Sequence, residues 1–186
     1  VKDTHETYGV TVAGVQRDLR LFEVKPGLRI AILNILGDTE LVSAAAKALA
    51  EKLTSKAYDV LVTAEAKSIP LIHMLSAETD KPYVVLRKAY KPYMGEALKS
   101  ETLSITTGKP QTLFLDEKDH ALVKNSKVAL VDDVISTGST LQGMREIMDD
   151  AGANVTVEAA IFTEGDAAEW AGIVALGHLP VWTDGA

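Results

Sequence analysis

The stretch Val128-Ala129-Leu130-Val131-Asp132-Asp133-Val134-Ile135-Ser136-Thr137-Gly138-Ser139-Thr140 limits what this chain can fold into more than any other. It opens with four apolar residues, a length that suits a buried strand. Two carboxylates follow, then a small, hydroxyl-rich turn around Gly138. Leu141, Met144, Ile147 and Met148 then recur at helical spacing up to Gly152. The order is strand, acidic pair, tight turn, helix.

Each part has a chemical use. The backbone N–H groups of Ser136 to Thr140 would sit at a helix N-terminus, where unpaired donors and the helix dipole attract anions. Gly138 lets the backbone approach a phosphate closely, and the hydroxyls of Ser136, Thr137, Ser139 and Thr140 add donors. Ionised Asp132 and Asp133 only accept hydrogen bonds, so they suit a sugar diol. A diol held by carboxylates beside a phosphate held by a turn describes a ribose 5-phosphate site. The plainer alternative is an acidic pair that merely faces a helix N-terminus capped by Ser136. No Gly-Lys-Ser/Thr follows the turn, so it is not a Walker A loop.

Composition bounds the partners. The chain has 186 residues, which makes one domain the default, and 47% of them are hydrophobic, enough for a real core. A net charge of −7 argues against a general nucleic-acid or membrane-surface binder. There is no Cys, so disulfides and thiolate metal sites are excluded. His5, His73, His120 and His178 show no metal-ligand spacing. No apolar run is long enough for a transmembrane helix and no signal peptide is visible. A cytoplasmic protein is expected.

Elsewhere the pattern alternates strand and helix. Thr7–Val12 and Val15–Val24 flank Ala13-Gly14 and predict a hairpin or two short strands. Leu28–Leu36 is a further apolar run, after which Asp38 or Thr39 caps a helix to about Leu53. Asp59–Thr63 predicts a strand. It leads through Glu65-Ala66-Lys67-Ser68 into a helix with Ser68 as N-cap and Pro70 in its first turn. Pro82–Leu86 predicts another strand, which runs into a basic cluster of Arg87, Lys88 and Lys91. Lys99–Thr106 and Gln111–Leu115 read as two strands around Gly108-Lys109-Pro110. Asp116–Leu122 predicts a short helix, and Asn154–Phe162 a β-branched strand. Ile173–Leu176 and Val181-Trp182 close the chain, with Trp182 either covering core or stacking on a base.

The stretch 128–140 resembles the phosphoribosyl-pyrophosphate (PRPP) motif of type I phosphoribosyltransferases, and the likeness extends over roughly residues 28–165 in the order of that family's motifs. The layout is most similar to the adenine and xanthine branch. The resemblance implies a doubly wound, mainly parallel α/β sheet with a small hood and a flexible β-hairpin loop. The expected division is 1–37 for N-terminal strands and hood, 38–165 for the core, and 166–186 for a C-terminal hood contribution. It also implies a pyrophosphate loop at Glu65, Ala66, Lys67 and Ser68, with a cis peptide at Glu65–Ala66. Lys67 stands where adenine enzymes carry Arg, which keeps the charge and loses the bidentate fork. Arg87 and Lys88 match the family's basic pair, and Lys91 is a third candidate contact.

The implied reaction is displacement of pyrophosphate from PRPP by a purine, adenine first among the bases. Asp132, Asp133 and Lys67 are the catalytic candidates. Mg²⁺ is implied through PRPP, with no direct protein ligand beyond Asp132 or Asp133 through water. Val134 and Ile135 would lie beside the base, while Asn34 either contacts the base or ends a strand by bonding backbone. The family's loop Glu has no clear counterpart, since Gln111 and Thr112 stand near its place. A non-catalytic PRPP or nucleotide sensor is therefore the alternative. A homodimer is expected because family members usually pair.

Overall fold

The computed structural model describes residues 1–103 and 110–183. Five parallel strands form the centre: β4 (Val60–Ala64), β5 (Tyr83–Leu86), β8 (Lys127–Ile135), β9 (Asn154–Glu164) and β10 (Val174–Leu179). Their order is β10-β9-β8-β4-β5. Parallel neighbours need crossovers, and helix α2 (Ile69–Thr79) supplies the one from β4 to β5 and α4 (Ser139–Asp150) the one from β8 to β9, while α1 (Thr39–Leu53) leads into β4. The inner strands carry continuous apolar runs because both sheet faces are covered. Leu61, Val62, Leu130 and Val131 are fully buried.

Two cores result. On one face Leu41, Leu49, Leu71 and Leu75 of α1 and α2 meet Val131, Ile161 and Phe162. On the other, Leu141, Met144, Ile147 and Met148 of α4 meet Val128, Leu130, Leu113 and Leu115. Burial of each such side chain contributes about 1.5–3 kcal/mol.

A second sheet draws on both ends of the chain. β1 (Lys2–Val12) and β2 (Val15–Lys25) form the predicted hairpin, and β3 (Leu28–Ile32) and β11 (Val181–Thr183) extend it antiparallel. Trp182 packs edge-on against Tyr8 with ring centroids 5.0 Å apart, so it covers core. Asp38 caps α1 by accepting from the Leu41 amide at 3.1 Å. Arg17 of β2 grips the same carboxylate with two bonds of 2.7 and 2.8 Å, which ties the hairpin to the start of α1.

The third unit is the hairpin of β6 (Leu98–Leu103) and β7 (Pro110–Leu115), followed by α3 (Glu117–Val123). The expected tip at Gly108 and Lys109 lies outside the described residues. The arms rest on α4. Ser100 donates to Glu146 at 3.0 Å, and Gln111 bonds the Thr140 hydroxyl at 3.2 Å. Among the described residues no helix is long and apolar enough to cross a membrane.

Candidate functional site

Ligands of open α/β sheets bind beyond the carboxyl ends of the strands. Here β4, β5, β8 and β9 end together, since Ala64 pairs with Leu86 and Ile135 with Thr163. Their turns bring Glu65–Ser68, Arg87–Lys88 and Ser136–Thr140 to one edge, although up to about seventy residues separate them in sequence.

The acidic pair sits at the end of β8. Asp133 is buried and Asp132 half-buried. The Ser68 hydroxyl joins them. It accepts from the Asp133 amide at 2.9 Å and donates to Asp132 Oδ1 at 2.8 Å, with Asp133 Oδ1 at 3.2 Å. Ser68 does occupy the N-cap position of α2, but its side chain makes no capping bond there. Lys67 Nζ lies 2.8 Å from Asp133 Oδ2 and donates to the Leu33 carbonyl at 3.2 Å. The Lys67–Asp133 contact is an ion pair, and Asp133 Oδ2 has no aligned hydrogen-bond donor among the described residues.

Glu65 and Ala66 are joined by a cis peptide bond. The Glu65 carboxylate reaches the end of β5, where it accepts from Arg87 Nε at 2.6 Å and from the Lys88 amide at 2.5 Å. Burial pushes the Glu65 carboxyl up, but the Lys88 amide and the Arg87 guanidinium outweigh it and hold it below its usual range. Arg87 also donates to the Tyr93 hydroxyl at 3.2 Å. Lys88 and Lys91 are exposed, and neither ammonium has an acidic partner within 4 Å among the described residues.

The turn after β8 closes on a cavity of about 230 Å³ lined by Asp132, Val134 and residues 135–141. Gly138 adopts φ +73, the left-handed conformation that favours glycine, and leads directly into α4. Thr137 and Ser139 exchange a hydroxyl contact of 3.2 Å, whereas the Thr140 hydroxyl is turned to Gln111. Val134 is half-buried against the first core, and the Ile135 side chain is buried in the second. Asn34 is exposed, and its side-chain oxygen accepts from the Leu36 amide at 3.2 Å. That bond is the backbone-turn geometry, one of the two readings open from sequence.

Two neighbours were not legible as site residues. Trp170 lies over the 136–140 turn: a Cβ added at Gly138 would meet its ring at 2.9 Å. Glu164, at the end of β9, is buried beside β8. A purely strand-terminating Glu-Gly-Asp pattern carries no sign of either contact.

Burial and then the charge of Asp133 push the Asp132 carboxyl up to about 7. Burial likewise pushes the Glu164 carboxyl up to about 7, against the pull of Lys67. Between its ordinary value near 4 and about 7, each group binds more protons folded than unfolded. Stability from both is therefore full below pH 4 and lost as pH rises to 7. The free protein should melt several degrees lower at pH 8 than at pH 5, an effect on the order of 1–3 kcal/mol. Asp132→Asn should flatten that slope in thermal melts. An equal slope in the variant would show that Asp132 is ionised throughout.

The fold and this geometry can be set beside known proteins. Structurally, the chain is similar to the adenine phosphoribosyltransferase of Thermoanaerobacter pseudethanolicus, with a TM-score of 0.66, 18% identity, and coverage of 92% of this chain and 95% of that one. It is equally similar to the enzyme of Giardia lamblia complexed with 9-deazaadenine, with a TM-score of 0.66, 17% identity, and 92% and 93% coverage. In sequence, the purine biosynthesis transcriptional repressor PurR of Bacillus subtilis is 28% identical over 150 residues, 81% of this chain and 50% of that protein. The hypoxanthine/guanine phosphoribosyltransferase of Methanocaldococcus vulcanius is 36% identical over 106 residues, 57% of this chain and 54% of its own. The chain thus spans about half the length of these curated relatives. The family model for the phosphoribosyl transferase domain matches residues 33–170, which hold every strand end, turn and carboxylate of the site described above, and the chain belongs to that family.

Proposed function

We propose that the protein is a purine phosphoribosyltransferase, which converts a purine base and PRPP to a nucleoside 5′-monophosphate and pyrophosphate. The observation that carries this reading is the convergence at one sheet edge of the Asp132–Asp133 pair, the 136–140 turn and the cations Lys67, Arg87 and Lys88. Asp132 and Asp133 would accept from the two ribose hydroxyls, and their charge would stabilise an oxocarbenium-like transition state. Ser136–Thr140 would anchor the 5-phosphate on backbone amides. Arg87 and Lys88, with Lys91, would neutralise the leaving pyrophosphate. Lys67, 2.8 Å from the Asp133 carboxylate, would turn to the pyrophosphate when the ribose hydroxyls bind. Val134 supplies an apolar floor for the base, and adenine is the first candidate.

Among the described residues no three His, Cys, Asp or Glu side chains converge to form a metal cage. Two adjacent hard carboxylates still fit Mg²⁺ that keeps its waters and is held mainly by ligand phosphates. Mg²⁺ so bound would neutralise charge on the pyrophosphate. We further propose a cytoplasmic homodimer, on the pattern of the family.

A second reading is favoured by the sequence likeness to the repressor PurR, which covers 81% of this chain against 57% for the sequence likeness to the hypoxanthine/guanine enzyme. In that reading the same site senses PRPP without turnover. Pyrophosphate release separates the two. PRPP and Mg²⁺ are offered with adenine, hypoxanthine, guanine, xanthine and orotate in parallel. Turnover with a purine is expected. PRPP binding without turnover on any base would establish the sensor instead.

A further inference from the structure

The turn that would hold the 5-phosphate is buttressed from outside its cavity. Trp170 ends the short 3₁₀ turn Ala167–Trp170 that follows β9, and it is half-buried against the second core, the one built around α4. Its six-membered ring reaches Gly138. A Cβ added there would stand 2.9 Å from Cη2 and 3.5 Å from Cζ3. The residues that line the cavity of the turn are Asp132, Val134 and 135–141, and Trp170 is not one of them. The indole therefore touches the turn without entering the space left for a ligand.

The indole is itself held in place. Its Nε1 donates to the Glu164 carbonyl at 2.9 Å. The chain at that point is fixed from β10: the Gly165 amide donates to the Leu179 carbonyl at 3.3 Å, and His178 Nε2 donates to the Gly165 carbonyl at 3.0 Å. Asp166 caps the 167–170 turn by accepting from the Ala168 amide at 2.9 Å, and the Ile173 amide donates to the Trp170 carbonyl at 2.9 Å. The ends of β9 and β10 thus hold the indole, and the indole meets Gly138.

Gly138 has use for such a neighbour. Its φ of +73 is only one of several conformations that glycine adopts with similar ease. It joins the end of β8 to the first turn of α4, whose leading amides have no partner within the helix. Those amides can meet one anion together only while the glycine keeps its conformation. A glycine left free would have to be ordered as the ligand binds, and that ordering lowers affinity. A ring in contact with Gly138 restricts it beforehand.

We propose that Trp170 is a positioning residue for the 5-phosphate, its indole tied to the end of β9 and holding the Gly138 turn ready for the anion before any ligand arrives. This role rests on the reading of residues 136–140 as the 5-phosphate site, and not on the base or on turnover.

Calorimetry with ribose 5-phosphate on the wild type, Trp170→Phe and Trp170→Ala, each paired with a thermal melt, tests the role. Trp170→Ala should bind ribose 5-phosphate about tenfold more weakly, the loss expected when one backbone residue must be ordered on binding. Trp170→Phe keeps an aromatic ring, loses the Nε1 bond, and should fall between. Mg²⁺–pyrophosphate, offered with ribose 5-phosphate at saturation, is left the Arg87 and Lys88 side of the site and should change by no more than about twofold. A second readout does not depend on the Ala variant folding. The chain has two tryptophans, and Trp182 packs on Tyr8 in the other sheet. In Trp182→Phe, the emission of the remaining indole should shift as ribose 5-phosphate saturates the site. Unchanged ribose 5-phosphate affinity in folded Trp170→Ala, an equal loss for pyrophosphate, or an emission that ignores bound ribose 5-phosphate would each overturn the assignment while leaving the phosphate site standing. A wild type that binds no ribose 5-phosphate would remove the phosphate site itself, and this assignment with it.

Discussion

Asp133→Asn should lower PRPP affinity at least about 100-fold, enough to abolish binding at working concentrations. Hydrogen bonds to an ionised partner contribute about 1.5–3 kcal/mol each, and a diol makes two. Asn keeps the shape but turns one acceptor into a donor, and it discards the charge that Lys67 meets at 2.8 Å. The fold should survive, because the substitution is close to isosteric and also relieves the repulsion between Asp132 and Asp133. Titration calorimetry with Mg²⁺–PRPP, paired with a thermal melt, reads both effects. Unchanged affinity in a folded variant would sink the site assignment.

Gly138→Ala should destabilise the protein by about 2–3 kcal/mol and weaken ribose 5-phosphate binding more than about tenfold. Two effects add. The left-handed φ of +73 is strained for any residue with a Cβ. The new methyl would also stand 2.9 Å from the Trp170 ring. That ring cannot swing aside freely, because its Nε1 is bonded to the Glu164 carbonyl at 2.9 Å. Adding Trp170→Ala to Gly138→Ala removes the clash and leaves the backbone cost, so a double-mutant cycle in denaturant separates them. If Gly138→Ala binds the phosphate as tightly as the wild type, the turn is not the anion cradle.

Much of the framework was written locally. The apolar run 128–131 becomes the inner part of β8, and the spacing of Leu141, Met144, Ile147 and Met148 becomes the buried face of α4. Asp38 caps α1 as its chemistry predicts. The hairpin arms 98–103 and 110–115 follow from alternation around Gly108-Lys109-Pro110, although the tip itself lies outside the described residues. Local signals work here because strand and helix periodicity depend on neighbours in the chain. Ser68 marks the limit of such reasoning. Its residue type and the following Pro place the start of α2 correctly, yet the hydroxyl serves the acidic pair instead of the helix.

By itself, the sequence determined the element order, the acidic pair, the glycine turn and the cations that follow two strands. Tertiary structure alone decided what these groups touch. Ser68 meets Asp133 across 65 residues of chain, Lys67 pairs with that same carboxylate, Trp170 lies on Gly138, and Glu164 is buried at the end of β9. Parallel strands need long crossovers, so residues distant in sequence become neighbours only when the sheet is assembled. Their charges and hydrogen bonds are set by that assembly, because burial and proximity do not exist in the extended chain.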